Sequence, residues 1–289
     1  MSSKLAIVVH GGAGRHRPDD DVEAAKQGCL AAARAGYAVL SRGGSALDAV
    51  EVATRLLEDD PVFNAGVGAA LTRDGKAELD ASVMDGATLS AGSVASVTCF
   101  QNPVTLARRV MERTPHVMLV GAGAEAFGRE QGLPVIANDV LVTAHARREL
   151  ERHRVSNGTV GAVAVDGRGH VAAATSTGGT TGKLPGRVGD SPLIGCGTWA
   201  DDGSAAVSCT GLGEAIIRAT LARHAADLVA SGLDAQAAAR KAVESLALAR
   251  GEAGLILVTP TGQVAWAFTT ERMSRAWVDA AGEGCGFGP

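Results

Sequence analysis

Apolar runs of strand length alternate with Ala-rich helical stretches along most of this chain. Residues 5–9 (LAIVV) form a continuous apolar run, closed by the turn-forming His10-Gly11-Gly12. Residues 21–41 are rich in alanine, read as a helix and stop at Gly43-Gly44. Ser45 is placed to cap a second helix, with Asp48 at the third helical position, where Glu or Gln is usual. Pro61 forbids that helix from continuing beyond about Asp60. Strand-like runs at 77–84 and 93–100 follow, then a helix over 103–113, a strand over 116–120 and a helix from about Gly123.

Residues 140–158 change character, being densely charged and then turn-like up to Ser156-Asn157-Gly158. A β-type run starts abruptly at Thr159 (TVGAVAVD), turns at Gly167-Arg168-Gly169 and returns as HVAAATST, which predicts a hairpin. Residues 204–210 read as a strand, 214–230 and 234–250 as Ala-rich helices, and 254–259 with 263–269 as a last hairpin across Pro260-Thr261-Gly262. No repeat of 20–50 residues is visible. The pattern predicts a mixed α/β layer structure with one internal break, at 140–158.

Composition narrows the function classes. With 289 residues, 46% hydrophobic and 20% charged, the chain is long enough to bury a core without disulfides. Aromatics supply only 3%, so Ala, Val, Leu and Ile must do the packing. A net charge of −4 with no basic stripe makes nucleic acid an unexpected partner. Cys29, Cys99, Cys196, Cys209 and Cys285 are odd in number and form no CxxC, so neither a zinc knuckle nor a disulfide framework is expected. Residues 1–10 are too short for a signal peptide and no run approaches the ~20 apolar residues of a membrane span, so no membrane association and a cytoplasmic location are expected.

Candidate chemistry concentrates between Gly158 and Glu214. Threonine is a poor nucleophile without a base, and a free α-amine on the same residue can be that base. Its reference pKa of about 7.7–8.0 lets it accept a proton near neutrality. Thr159 gains such an amine if the Gly158–Thr159 bond is broken; Gly158 permits close approach there, and the strand that follows would hold the hydroxyl in place. The dipeptide alone reads more simply as a loop entering a strand with Thr as an ordinary β-former. Asn157-Gly158-Thr159 also matches a glycosylation sequon, but nothing suggests secretion.

Longer motifs decide between these. GTVGAVAVDGRGHVAAATSTGG, then KLPGRVGDSP, then SCTGLGE resemble the plant-type asparaginase/isoaspartyl peptidase family of N-terminal-nucleophile hydrolases. VVHGGAG and PVFNAGVGAALTRDGKAELDASVMDG resemble the same family in the same order, so the likeness runs from about Ala6 to about Trp277. The resemblance implies one N-terminal-nucleophile domain over residues 1–289, a four-layer αββα sandwich. It would be made as a precursor, cut into an α chain (1–158) and a β chain (159–289), and commonly assembled as (αβ)₂. Thr159 would be nucleophile and, through its new amine, base. Thr177 would lie beside the nucleophile hydroxyl, Asn64 in the active site, and Thr210 and Gly211 would form the oxyanion pair.

The same likeness implies that Arg187 and Asp190 grip a substrate's α-carboxylate and α-ammonium, a guanidinium suiting the first and a carboxylate the second. It implies hydrolysis of asparagine and β-aspartyl peptides through a threonyl ester. No cofactor would be required, but the loop over 57–67 would hold a structural sodium ion by the backbone carbonyls of Leu57, Glu58, Asp60, Phe63, Ala65 and Val67. None of the seven histidines (His10, His16, His116, His145, His153, His170, His224) is assigned a chemical role. The chain departs from the family pattern in its short segment before Thr159 and in Trp199, where a smaller or tyrosine side chain is expected; both bear on rate and specificity.

Rival readings are weaker. Gly121-Ala122-Gly123-Ala124-Glu125-Ala126 follows a strand and satisfies the dinucleotide fingerprint, with Asp139 lying 18 residues past Gly121. No second mononucleotide half follows, however, and glycines packing a helix explain the pattern more simply. A P-loop at Thr177–Lys183 fails because Thr177 stands where the first Gly is needed and Leu184 where Ser or Thr should bind magnesium. A non-enzymatic binding protein would need only the intact fold. Glycosylasparaginase and the protein-cutting threonine endopeptidase share fold and nucleophile, but KLPGRVGDSP resembles the asparaginase branch more closely.

Overall fold

Residues 6–9 of the opening strand alternate between two buried faces, Ile7 and Val9 on one side and Ala6 and Val8 on the other. A strand covered on both faces reads as a continuous apolar run, and the layers on either side of it define the architecture. A computed structural model describes residues 5–15, 21–152, 158–247, 249 and 251–289. After β1 (Ala6–Gly14) come helices α1 (Val22–Ser41) and α2 (Ala46–Asp59), strands β2 (Leu79–Asp85) and β3 (Ala91–Val97), α3 (Pro103–Arg113), β4 (Met118–Val120), α4 (Gly121–Glu130) and α5 (Ala144–Glu151). The second half contributes β5 (Val160–Val165), β6 (Val171–Thr177), β7 (Thr198–Ala200), β8 (Ala206–Gly211), α6 (Gly213–Ala219), α7 (Leu221–Ala230), α8 (Ala235–Glu244), β9 (Ala253–Val258), β10 (Val264–Phe268), β11 (Arg272–Asp279) and β12 (Gly282–Gly286).

Eight strands form one sheet in the order β12-β11-β1-β5-β6-β2-β3-β4, and four form a second in the order β10-β9-β8-β7. Three apolar clusters fill the spaces between layers. Ile7, Leu57, Leu79 and Leu106 pack the large sheet under α1–α3; Val8, Val163, Ile256 and Val258 fill the gap between the sheets; Val207, Leu221, Leu246 and Leu255 join the small sheet to α7 and α8. This is the αββα sandwich that the resemblance implies.

Local signals account for most boundaries. Asp21 caps α1 through Ala24 N–H at 2.9 Å, and Ser45 caps α2 through Asp48 N–H at 3.1 Å. Three expectations need correcting. The expected helix over 214–230 is two helices, because Thr220 sits at φ 45°. There the N–H groups of Ala222 and Arg223 turn to the carbonyls of Cys196 and Gly195, at 3.0 and 2.9 Å, so a tertiary contact replaces the intrahelical ladder. The charged segment contains α5, capped by Thr143 and anchored by buried Ala146 and Glu149; its remainder, 153–157, lies outside the described residues. The His10-Gly11-Gly12 turn is part of β1, with a bulge: three steps from His10 to Ala13 face two from Arg275 to Met273 on β11.

Candidate active site

Thr159 stands just before β5, which pairs with β1 on one side and β6 on the other, at the centre of the large sheet. The β1 bulge lies against this junction. Gly12 has φ +109°, and a methyl group on it would stand 3.3 Å from Gly158 Cα and 3.4 Å from Thr159 N. Only a glycine lets that strand curl so closely over the peptide.

The Gly158 carbonyl is held from two sides. Asn64 Nδ2 donates to it at 2.9 Å and the Thr177 hydroxyl at 2.8 Å. Asn64 also donates to Gly179 O at 2.7 Å while its Oδ1 accepts Ala70 N–H at 2.6 Å, so two carbonyls and one N–H fix the amide's orientation. Thr177, the last residue of β6, accepts Gly179 N–H at 2.9 Å, and the Thr159 hydroxyl approaches it at 3.4 Å. That last contact is long for an O–H···O bond, so the Thr159 hydroxyl is loosely tied and can turn.

The small sheet supplies the facing groups. Thr210 Oγ1 accepts Ala13 N–H at 3.1 Å, which leaves its own proton to donate. Gly211 has φ +134°, and a Cβ there would stand 2.6 Å from both Ala253 Cα and Glu252 O, so no other residue fits. Asp190 is buried, its Oδ2 lacks a hydrogen-bond partner among the described residues, and burial pushes its carboxyl up to about 7 against the pull of Arg187. A methyl group on Gly213 would stand 2.9 Å from both Arg187 Nη2 and Asp190 Oδ1, so the two charged groups converge beside one glycine. Glu214 holds Arg187 through Nε at 3.0 Å and Nη2 at 2.9 Å. A cavity of about 320 Å³ opens on the Gly158 side, lined by Gly11, Gly12, Phe63, Asn64 and Gly158 among others.

Four residues escaped the sequence reading. Glu214 was quoted only as part of a motif, yet it orients Arg187. His10 is fully buried, pushed down to about 3 by that burial, and its Nδ1 lies 2.9 Å from Thr159 O. Ser208 contacts its other ring nitrogen at 2.9 Å, and Thr175 contacts Ser208 at 2.7 Å. β6 and β8 are buried along almost their whole length, so a Thr or Ser inside such an apolar run needs a buried partner, and that was the available signal. Trp199 lies under the Arg223 guanidinium, 4.5 Å from the ring centroid.

Residues 57–59, expected in a loop, close α2, and the loop that follows turns back so that Gly66 and Val67 meet the Glu58 carbonyl. A methyl at Gly68 would stand 2.7 Å from Pro61 O and 2.9 Å from Phe63 O, and one at Gly66 would stand 2.2 Å from Glu58 O. Glu58 O also accepts Val67 N–H at 2.8 Å, and Asp60 O accepts Phe63 N–H at 3.1 Å. A hard cation suits such oxygens. Among the described residues no group of three His, Cys, Asp or Glu side chains could hold a metal, so backbone oxygens are the donors on offer.

The glycines of the dinucleotide pattern behave differently from the expectation. Gly121 does turn between β4 and α4 at φ +50°, but a Cβ on Gly121 or Gly123 would meet nothing within 4 Å. Neither packs a helix closely; Gly128 does, since a Cβ there would stand 2.5 Å from the Phe100 ring.

Comparison with known proteins gives the family. The asparaginase family profile matches residues 3–157 and 151–285. An isoaspartyl peptidase/L-asparaginase of Mus musculus is 46% identical over 285 residues, covering 94% of this chain and 87% of the mouse protein. The isoaspartyl peptidase of Salmonella typhimurium is 47% identical over 298 residues, covering 95% of each chain. A plant-type L-asparaginase of Pyrococcus abyssi is 45% identical over 296 residues, covering 95% and 96%. Several such relatives, aligned nearly end to end, show that the chain belongs to the asparaginase family.

Proposed function

We propose that this chain is a precursor that cleaves itself between Gly158 and Thr159. The product hydrolyses L-asparagine to L-aspartate and ammonia, and releases aspartate from β-aspartyl peptides, through an ester on Thr159. The observation that carries this is the grip on the Gly158 carbonyl by Asn64 and Thr177, with the Thr159 hydroxyl 3.4 Å from Thr177. Two donors on one peptide carbonyl polarise it and stabilise negative charge developing on its oxygen.

In the first reaction Thr159 Oγ adds to the Gly158 carbonyl carbon. The C–N bond breaks, the hydroxyl proton passes to the Thr159 nitrogen, and an ester replaces the amide. Water then hydrolyses that ester, leaving a Gly158 carboxylate, a free hydroxyl and a free amine. The cavity beside Gly158 gives the new carboxylate room to leave. In the second reaction the amine takes the hydroxyl proton as Oγ attacks the side-chain carbonyl of asparagine or the isopeptide carbonyl. The proton goes to the departing amine, and water releases aspartate. The free hydroxyl proton of Thr210 and the Gly211 N–H serve the second oxyanion.

Replacing Asn64 by Ala removes one of the two donors and frees a carbonyl that it fixes. Self-cleavage should slow by up to about 10²-fold, because Thr177 remains. Densitometry of a gel time course reads the rate, and an unchanged rate would remove Asn64 from this role.

Arg187 and Asp190 would take the α-carboxylate and α-ammonium of the aspartyl unit. The buried, unpartnered Asp190 Oδ2 supports this, since a cationic ligand would satisfy it. With its carboxyl pushed up to about 7, Asp190 is charged above that pH and neutral below it. Binding of an ammonium group is therefore present above about pH 7 and lost as pH falls. The Thr159 amine imposes a second loss over the same range, so log kcat/KM should steepen toward a slope of about two at low pH. In Asp190→Asn the slope should return to about one; a profile of unchanged steepness would contradict the assignment.

Carbonyls of Leu57, Glu58, Asp60, Phe63, Ala65 and Val67, with Pro61 beside them, would hold a sodium ion that stiffens the loop carrying Asn64; no chemical step runs through it. The family resemblance also carries an (αβ)₂ assembly into this proposal. No helix of the described residues is long and apolar enough to cross a membrane.

A further inference from the structure

We propose that His10 is a positioning residue for catalysis, a clamp on the carbonyl of Thr159 that is braced on its far side by a line of hydroxyls running between the two sheets. The inference rests on Thr159 being the nucleophile.

The proton positions follow from the partners. Thr159 O can only accept, so His10 Nδ1, 2.9 Å away, must carry the proton and donate. In a neutral ring Nε2 is then an acceptor, and Ser208 Oγ at 2.9 Å must donate to it. Ser208 in turn accepts from Thr175 at 2.7 Å, Thr175 from Thr198 at 2.5 Å, and Thr198 from Ser82 at 2.7 Å. Ser208, Thr175 and Thr198 then each donate once and accept once, so the direction is the same from Thr198 to the ring; Ser82 ends the line, its one proton shared between Thr198 and the Ser191 carbonyl at 2.6 Å. All five side chains are fully buried, His10 included. Burial also keeps the imidazole neutral, so the direction of the line does not reverse near neutral pH.

Space has been made for this arrangement. A Cβ on Gly161 would stand 2.0 Å from Ser208 Oγ and 2.7 Å from His10 Nε2. The strand that begins at the nucleophile thus gives up a side chain, two residues on, where the clamp meets the hydroxyl line. The clamp has a task because cleavage frees the Thr159 nitrogen from the chain before it. What then fixes the first residue is its own carbonyl, and rotation there swings the amine and the hydroxyl together. A small misplacement of reacting groups costs large factors in rate, so a fixed carbonyl should act on the chemical step and leave substrate binding alone.

Two near-isosteric replacements separate the ring's two contacts. An Asn amide nitrogen falls near the position of Nδ1, so His10→Asn keeps the donor to Thr159 O and loses the link to Ser208. His10→Gln reaches Ser208 and loses the carbonyl donor. With kcat expressed per free Thr159 N-terminus, His10→Asn should stay within about threefold of wild type, whereas His10→Gln should lose roughly 10- to 100-fold in kcat with KM unchanged. Self-cleavage rates should follow the same order. Ser208→Ala, which keeps the donor to Thr159 O but removes the brace at Nε2, should lower kcat a few-fold at constant KM, and it serves if either histidine variant fails to fold. Equal kcat in the Asn and Gln variants, a change confined to KM, or a Ser208→Ala enzyme at wild-type kcat would overturn the proposal. An active Thr159→Val would instead sink the nucleophile assignment on which it rests.

Discussion

Thr159→Val is expected to remain a single full-length chain and to hydrolyse neither asparagine nor a β-aspartyl peptide above background. Valine preserves the β-branched shape at a position that is 5% exposed, so the strand beginning at Val160 should fold unchanged. What disappears is the hydroxyl poised beside Thr177 and the carbonyl it would attack. Loss of a covalent nucleophile costs roughly 10⁴- to 10⁶-fold in kcat, since the residues around it act as a unit. Thr159→Ser keeps both hydroxyl and amine and should retain part of both reactions. A folded Thr159→Val protein that still released ammonia from asparagine would assign the chemistry to another group. His10 is a poor substitute for that group, because burial holds it neutral and both its nitrogens are already engaged.

Arg187→Ala is expected to lower kcat/KM on β-aspartyl peptides by roughly 2–5 kcal/mol, or about 30-fold to several thousand-fold, while self-cleavage proceeds at its normal rate. The asymmetry follows from the two reactions. Self-cleavage acts on the chain's own backbone and has no free carboxylate to hold, whereas a small substrate is aligned by its charged ends. Glu214 already occupies Nε and Nη2 of Arg187, so the guanidinium is oriented before substrate arrives. Arg187→Lys should recover only part of the loss, because an ammonium lacks the planar fork. Wild-type kcat/KM in Arg187→Ala would show that the substrate carboxylate is held elsewhere.

How much of this was legible in the sequence depended on whether each signal was local. The GTV junction, the Asn64 loop and the Arg187–Asp190 spacing lie within short motifs that carry the family likeness, and the likeness rather than the residue types implies their chemistry. The helix cap at Ser45 could be read because capping acts over three residues. Non-local devices were not legible. The bulge in β1 exists because β11 pairs alongside it, and β11 itself was missed: Arg272, Ser274 and Arg275 disguise it as a polar stretch. Arg275 is nevertheless buried, its guanidinium over Phe268 and Trp266. β12 is mostly glycine and has no strand propensity; it exists because β11 offers it an edge. The break at Thr220 requires the carbonyls of Gly195 and Cys196, more than twenty residues away. His10 was dismissed for the same reason, since its partners at 159 and 208 come together only when the two sheets stack.

N-terminal sequencing of the smaller fragment from the incubated, purified protein, paired with intact mass of both fragments, tests the central claim most directly. The account predicts that the Gly158–Thr159 bond is the one broken, so the new chain should begin Thr-Val-Gly-Ala and the larger fragment should end at Gly158. A new terminus at any other residue, or a chain that hydrolyses asparagine while remaining whole, would contradict it.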